Sequence, residues 1–166
     1  MTNTRLIVFS DLDGTLLDHQ SYSFDPARPA LNRLKMAGHV LVLASSKTAA
    51  EIAPLREAMG FAHCPAIVEN GSGVLEPGYD GQGSVGDGHG RILTALDGLP
   101  PELRSSFSGF SDWTVNEVME RTGLSELAAK QAKTRWFSEP GEWTGTEDSL
   151  RAFTKELSQH GISAIM

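Results

Sequence analysis

The sequence predicts an α/β fold built on a parallel sheet, and three observations lead there. Residues 5–10 (RLIVFS) and 40–44 (VLVLA) are short, nearly continuous apolar runs, the mark of strands buried on both faces. Residues 26–37 and 48–59 fit helices, and each is followed by a glycine stop, Gly38 and Gly60. A third short apolar run, residues 66–69, follows the second helix. A β-loop-α-β-α-β order of this kind implies a right-handed, doubly wound layer. Residues 11–25, turn-rich and polar, read as the loop after the first strand.

Beyond Glu69 the pattern changes. Residues 73–76 read as a strand or hairpin, and the glycines from Gly78 to Gly90 as a hinge or mobile loop. A short helix is expected over 100–107. Thr114 caps a helix running to 121 or 122, with Glu117 as its capping-box partner and Gly123 as its stop. Ser125 caps the next, to about Lys133. Residues 135–138 read as a strand before Glu139-Pro140-Gly141. Thr146 caps a helix whose first turn carries Glu147 and Asp148, favourable to its dipole, and which ends at Gly161. Residues 162–166 read as the start of a further strand. The boundary falls in the glycine-rich stretch, dividing the chain into an α/β part, residues 1–78, and an α+β part, residues 79–166.

Composition narrows the function classes. At 166 residues, 40% hydrophobic, the chain is long enough to bury a real core, and a net charge of −7 with 21% charged residues is too moderate for disorder throughout. No apolar run approaches the roughly 20 residues of a membrane span. The N-terminus lacks the layout of a signal peptide. One cysteine, Cys64, excludes an intrachain disulfide, and a reducing cytoplasm is the expected compartment. No Lys/Arg stripe is present to displace counterions from a phosphate backbone, so neither nucleic acid nor membrane is an expected partner. A small anionic substrate stays open, because a few local donors outweigh global charge.

The sharpest chemical signal is Asp11-Leu12-Asp13-Gly14-Thr15, directly after the first strand. In open α/β sheets, ligands bind beyond the carboxyl ends of the strands. Two carboxylates two residues apart at that edge suit phosphoryl transfer. The first can attack phosphorus as a nucleophile, and the second can protonate the leaving oxygen and later activate water. The pair also attracts Mg²⁺, a hard cation that offsets repulsion between nucleophile and phosphate. An isolated D-x-D also occurs as a plain acidic turn. After the second strand, Ser45, Ser46 and Lys47 stand before a helix, an anion site or a simple helix cap. Arg135 reads as a carboxylate or phosphate contact or as a strand-edge charge. Trp113, Trp136 and Trp143 read as packing residues before sugar-stacking ones. His63 beside Cys64 lacks the ligand count of a metal site.

The first segment, a buried strand followed by D-x-D-G-T-L-L, resembles the first motif of the haloacid dehalogenase (HAD) superfamily, mostly Mg²⁺-dependent phosphohydrolases. On that resemblance Asp11 corresponds to the nucleophile and Asp13 to the acid/base. The metal is then held by the Asp11 carboxylate and the Asp13 backbone carbonyl. The implied fold is a Rossmann-like parallel-sheet core with an inserted α+β cap of the C2 type. Members of the superfamily place a Ser or Thr at the end of the second strand on the phosphoryl group. Ser45 matches best, with Ser46 and Lys47 beside it. Asn70-Gly71 resembles the E-N-G element of members carrying a large cap after the third strand, and Asn70 reads equally as a turn residue. Residues 45–51 (SSKTAAE), 109–113 (GFSDW), 117–118, 122–125 (TGLS), 128–129 and 135–140 (RWFSEP) are similar to mannosyl-3-phosphoglycerate phosphatases. That similarity runs in order along the chain. It implies hydrolysis of a mannosyl- or glucosyl-3-phosphoglycerate to the corresponding glycoside.

Two later motifs of the superfamily are absent from these residues: a Lys that neutralises nucleophile and phosphate, and an acidic G-D-x-x-N-D loop that completes the metal site. Lys130, Lys133 and Lys155 lie in expected cap helices, and Asp148 begins a helix. The resemblance therefore implies a chain truncated before the last core strands. An exposed sheet edge, weak Mg²⁺ binding and little activity by itself are the expected consequences. A sugar phosphomutase shares the D-x-D-G-T start, and a non-catalytic remnant or binding module is the alternative from another class.

Overall fold

The computed structural model describes residues 4–18, 21–80 and 86–165. They form two compact units, Met1–Val85 and Gly86–Met166. In the first unit, β1 (Ile7–Ser10), β2 (Val40–Ala44), β3 (Ala66–Val68) and β4 (Gly73–Leu75) make one sheet in that order. β1, β2 and β3 are parallel and β4 returns antiparallel to β3. Two helices, α1 (Arg28–Met36) and α2 (Ala49–Ala58), connect the parallel strands. The register sets the functional edge. Ser10 pairs beside Leu43 and Ala44 beside Ile67, so the residues that follow all three parallel strands emerge together.

The first helix begins later than residue 26. Pro26 sits in a 3-10 turn, Asp25–Ala27, whose Asp25 pairs with Arg28 at 2.6 Å. The second is closed by a capping box. The Thr48 hydroxyl accepts from the Glu51 N–H, and the Glu51 carboxylate accepts from Thr48. Leu12, Leu41, Leu43, Ile52, Phe61 and Leu75 are essentially without exposure. Each such side chain contributes about 1.5–3 kcal/mol relative to an exposed one. At the open side of the sheet, β1 is an edge strand whose Ile7 and Phe9 are 63% and 65% exposed.

The second unit holds α3 (Gly88–Asp97), α4 (Pro101–Arg104), β5 (Phe107–Gly109), α5 (Val115–Thr122), α6 (Glu126–Lys133), β6 (Gly141–Trp143) and α7 (Glu147–Gln159). β5 and β6 form a two-stranded antiparallel sheet, Phe107 opposite Trp143. One apolar cluster gathers Ala95, Leu96, Leu99, Leu103, Phe153 and Leu157. The Phe153 ring lies 5.4 Å from Phe107 and 4.7 Å from Trp143. A second cluster joins Trp113, Val118 and Ala129. Thr114, Ser125 and Thr146 each cap their helices through the hydroxyl, and Glu117 completes a capping box with Thr114. Among the described residues, no helix is long and apolar enough to cross a membrane.

Four sequence expectations are corrected here. The glycine-rich loop expected to reach Gly90 ends earlier, because α3 starts at Gly88. A Cβ at Gly88 would stand 3.1 Å from the Trp136 carbonyl oxygen, so this glycine permits close packing rather than a hinge. Residues 81–85 of that loop lie outside the described residues. The helix expected over 100–107 is limited to α4, because its last residues enter β5. No strand forms over 135–138. There the Arg135 guanidinium donates to the Ser138 carbonyl at 3.1 Å, the Ser138 hydroxyl at 2.8 Å and the Ala132 carbonyl at 3.3 Å, closing the segment into a turn. The strand lies instead at β6, where a Cβ on Gly141 would meet the Ser108 carbonyl oxygen at 2.5 Å. Residues 162–165 form no strand. Ile162 and Ala164 pack against the first cluster, and Met166 lies outside the described residues.

One polar cluster in this unit has a measurable consequence. The Glu139 carboxylate, 1% exposed, accepts from Ser111 N–H at 2.7 Å and Ser111 Oγ at 2.6 Å, and its other oxygen lies 2.5 Å from His89 Nε2. Burial pushes the Glu139 carboxyl up, but the hydrogen bonds from His89 and Ser111 outweigh it and hold it below its ordinary value of 4.5. A carboxyl whose folded pKa is depressed contributes stability that is complete above its unfolded pKa and lost as pH falls through the folded one. The second unit is therefore expected to lose stability as pH drops below about 4.5. Glu139→Gln should flatten that dependence and cost about 1–3 kcal/mol at neutral pH. Urea unfolding followed by Trp fluorescence checks it, because Trp113, Trp136 and Trp143 all lie in this unit. Parallel acid profiles for wild type and variant would remove Glu139 as the cause.

Candidate active site

The turn after β1 is built around one carbonyl. The N–H groups of Thr15, Leu16 and Leu17 all converge on the Leu12 carbonyl oxygen, at 3.2, 3.0 and 2.8 Å. Gly14 turns through a left-handed φ of +74°, and its N–H closes on the Leu17 carbonyl oxygen at 2.9 Å. Leu12 and Leu17 are buried at 0% and 2% exposure and anchor the turn in the core. Asp11 and Asp13 flank Leu12 and are thereby held at the rim. The Leu12 N–H donates to Asp11 Oδ1 at 2.7 Å, which fixes that carboxylate.

The ends of β2 and β3 are stitched together beside it. Ser45, 7% exposed, donates its N–H to the Ile67 carbonyl at 3.1 Å and accepts at its own carbonyl from Asn70 N–H at 3.1 Å. Its hydroxyl accepts from Lys47 N–H at 3.2 Å, and Glu69 N–H donates to the Lys47 carbonyl at 3.0 Å. These bonds hold Glu69 and Asn70 at φ of +50° and +57°. Such conformations cost of order 1–3 kcal/mol each away from glycine and persist only where the surroundings impose them.

The result is an open groove of about 540 Å³ lined by Asp11, Asp13, Ala44, Ser45, Ser46, Ile67, Asn70 and Gly71. Asp11, Asp13, Ser45, Ser46 and Asn70, all singled out from the sequence, thus meet at one site within the first unit. Lys47 stands beside them, its ammonium 3.3 Å from Asp13 Oδ1 and 4.0 Å from Glu51 Oε1, with the Tyr22 ring 5.8 Å away. Asp13 Oδ1 is buried and receives no hydrogen bond; the Lys47 ammonium is near enough for an ion pair but not aligned to donate. Arg135 is placed in the second unit, 8% exposed, with its guanidinium on Ser138 and Ala132.

Two neighbours of the site were not read from the sequence. Tyr22 lies in the loop before α1 and carries no motif. Glu51 entered the sequence reading only as the last residue of the segment 45–51, and nothing in that segment shows that its second oxygen faces Lys47.

Among the described residues no three His, Cys, Asp or Glu side chains cluster as a metal site. The donors that are present still suit a hard cation. Mg²⁺ takes oxygen ligands and keeps several waters, and one or two carboxylates are its usual protein share. The Asp11 carboxylate and the Asp13 backbone carbonyl, from two residues of the groove lining, are oxygen donors of that kind.

The chain is similar to several known proteins. Residues 8–83 match the family of haloacid dehalogenase-like hydrolases. Among solved structures, a haloacid dehalogenase-like hydrolase from Bacteroides thetaiotaomicron is 20% identical with a TM-score of 0.55, over 98% of this chain and 67% of that one. A sugar phosphatase of HAD subclass IIB is 14% identical with a TM-score of 0.51, over 93% of this chain and 64% of that one. A protein from Thermotoga maritima is 19% identical with a TM-score of 0.50, over 93% and 61%. These likenesses concern the fold, and the chain spans about two thirds of the length of each structure. The family match lies within the first unit, covering all of it but its ends, and marks that unit as similar to haloacid dehalogenase-like hydrolases.

Proposed function

We propose that the chain carries the phosphoryl-transfer site of a phosphomonoester hydrolase, with mannosyl- or glucosyl-3-phosphoglycerate as substrate. The observation that carries the reaction class is the meeting of Asp11, Asp13 and Ser45 in one groove at the carboxyl edge of a parallel sheet. Supporting it is the printed description of one structural neighbour as a sugar phosphatase. The substrate reading rests on the sequence similarity of residues 45–51 and of segments between 109 and 140.

The groove residues support a two-step reaction. The Leu12 N–H orients the Asp11 carboxylate through Oδ1, and one carboxylate oxygen attacks. That oxygen forms a bond to phosphorus as the bond from phosphorus to the C3 oxygen of the glycerate breaks, and Asp13 gives its proton to that leaving alkoxide. Asp13, now a carboxylate, takes a proton from water, whose oxygen attacks the same phosphorus. The Asp11–phosphorus bond breaks, and phosphate and free Asp11 result. Ser45, Ser46 and Lys47 hold the phosphoryl oxygens, and Asn70 borders the substrate. Asp11 and Asp13 are the groups that would hold Mg²⁺, which supplies charge neutralisation when bound. A reducing cytoplasm suits the buried free thiol of Cys64.

Release of phosphate from mannosyl-3-phosphoglycerate in the presence of Mg²⁺, compared with a panel of other sugar phosphates, tests this. Preference for the glycosyl phosphoglycerates is expected. Retention of the phosphoryl group on a bisphosphate intermediate, returned to sugar, would replace the hydrolase by a mutase. Failure of every phosphomonoester to turn over or bind would leave a non-catalytic remnant.

A further inference from the structure

Glu51 has two carboxylate oxygens with different surroundings. Oε2 accepts from Thr48 N–H at 2.9 Å and from Thr48 Oγ1 at 3.1 Å, closing the N-terminal cap of α2. Oε1 faces the Lys47 ammonium at 4.0 Å. That ammonium in turn lies 3.3 Å from Asp13 Oδ1. Both partners of the Glu51–Lys47 pair are largely shielded, with side chains 11% and 14% exposed. The backbone of Lys47 is pinned at both ends, its N–H on Ser45 Oγ and its carbonyl under Glu69 N–H. The side chain alone would still sweep a wide arc, since a lysine stem has four rotatable carbons. The two carboxylates of Asp13 and Glu51, both within 4.0 Å of the ammonium, limit that arc. For an isolated helix cap, any acceptor at this position suffices, and the charge on the second oxygen has no use.

We propose that Glu51 is a positioning residue: it makes the α2 cap and the placement of the Lys47 charge beside Asp13 a single rigid unit. The role rests on the reading of the groove as a phosphate site. Glu51 touches neither substrate nor reacting atoms and acts only through Lys47. The cap fixes where the carboxylate stands, and the carboxylate fixes where the ammonium stands. An incoming phosphate then meets a cation already in place, and little lysine side-chain entropy is lost on binding.

Glu51→Gln separates the two jobs, because its amide oxygen still accepts from Thr48 while the charge facing Lys47 is gone. Competitive acetylation of the full-length chain is the first measurement. Lys47 labelling is expected to rise roughly 3- to 10-fold in Glu51→Gln, the range of coupling between contacting charged residues, with Lys35 labelling as the unchanged reference. The melting temperature should stay within about 2 °C of wild type, since the cap survives. Unchanged Lys47 labelling overturns the proposal whatever the substrate proves to be. The second measurement is inorganic phosphate affinity in the presence of Mg²⁺. Removing a negative charge beside an anion site tightens anion binding by itself. A roughly 3- to 10-fold loss in Glu51→Gln therefore reports lost positioning, and tighter binding overturns it. In a Lys47→Met background the same substitution should have no further effect, and an additive loss overturns action through Lys47. Wild-type protein that binds no phosphate refutes the phosphatase reading, while the labelling result still decides the Glu51–Lys47 link.

Discussion

Asp11→Asn is expected to lower phosphate release by roughly 10³- to 10⁶-fold, the range seen when a covalent nucleophile is removed. That corresponds to about 4–8 kcal/mol of barrier. Asn is close to Asp in shape, and its side-chain oxygen can still accept from Leu12 N–H, so the turn should keep its geometry. What disappears is an anionic oxygen able to form a bond to phosphorus. Binding of beryllofluoride, a mimic of the aspartyl-phosphate, should vanish with the activity, because that adduct also forms on the carboxylate. Fluorine NMR of wild type and variant with Mg²⁺ reads this without turnover. A variant that keeps both the adduct and more than a tenth of the rate would place the nucleophile elsewhere. The substitution also removes one of two neighbouring carboxylates, so a stability loss is not expected and circular dichroism should show a native fold.

Arg56→Met should cost the first unit about 3–5 kcal/mol, the usual consequence of breaking a buried charged network. Arg56 is 1% exposed. Its Nη1 donates to the carbonyls of Cys64 at 2.6 Å, Glu76 at 3.0 Å and Leu75 at 3.4 Å, and its Nη2 to Tyr79 at 2.9 Å. Burial lowers the pKa of the guanidinium, opposed by the nearby Cys64, and an arginine still stays protonated at any working pH. One planar fork thus ties the loop before β3 to the chain leaving β4. Met fills similar space but leaves those carbonyls without donors, each costing about 1–3 kcal/mol where no water reaches it. The melting temperature should fall by roughly 15–30 °C for a unit of this size. Lysine should rescue only part, since one ammonium cannot span the same carbonyls. Far-UV circular dichroism gives the melt. Trp fluorescence, which comes only from the second unit, shows whether the loss is confined to the first. A loss under about 1 kcal/mol would mean that water replaces the guanidinium.

The contrast between Asp11 and Arg56 shows what kind of information lies along the chain. Asp11 was legible because its chemistry is local: an apolar strand, then two carboxylates and a glycine within five residues. Arg56 is an ordinary late-helix cation in sequence. Its role arises from carbonyls eight to 23 residues away, and no periodicity encodes it. The second unit makes the same point. Thr114, Ser125 and Thr146 were readable as caps, because a hydroxyl before a helix acts on its own first turn. The strand expected over 135–138 failed for the converse reason. Arg-Trp-Phe-Ser has the composition of a strand, but the Arg135 guanidinium donates to Ser138 at the segment's other end and folds it back. The short β5 and β6 pair across more than thirty residues, and neither has the length to announce itself.

By itself, then, the sequence determined the βαβαβ order, the helix caps and the identity of the groups at the carboxyl edge, all consequences of interactions within a few residues. The tertiary structure decided what depends on distant approach. It set the register that brings Asp11, Ser45 and Asn70 to one groove. It also left Asp13 Oδ1 without a hydrogen bond beside Lys47 and turned the second oxygen of Glu51 toward that lysine. The physical reason is range. Capping and strand propensity act over one turn or one pleat, whereas the placement of a charge in a folded site is set by every element packed around it.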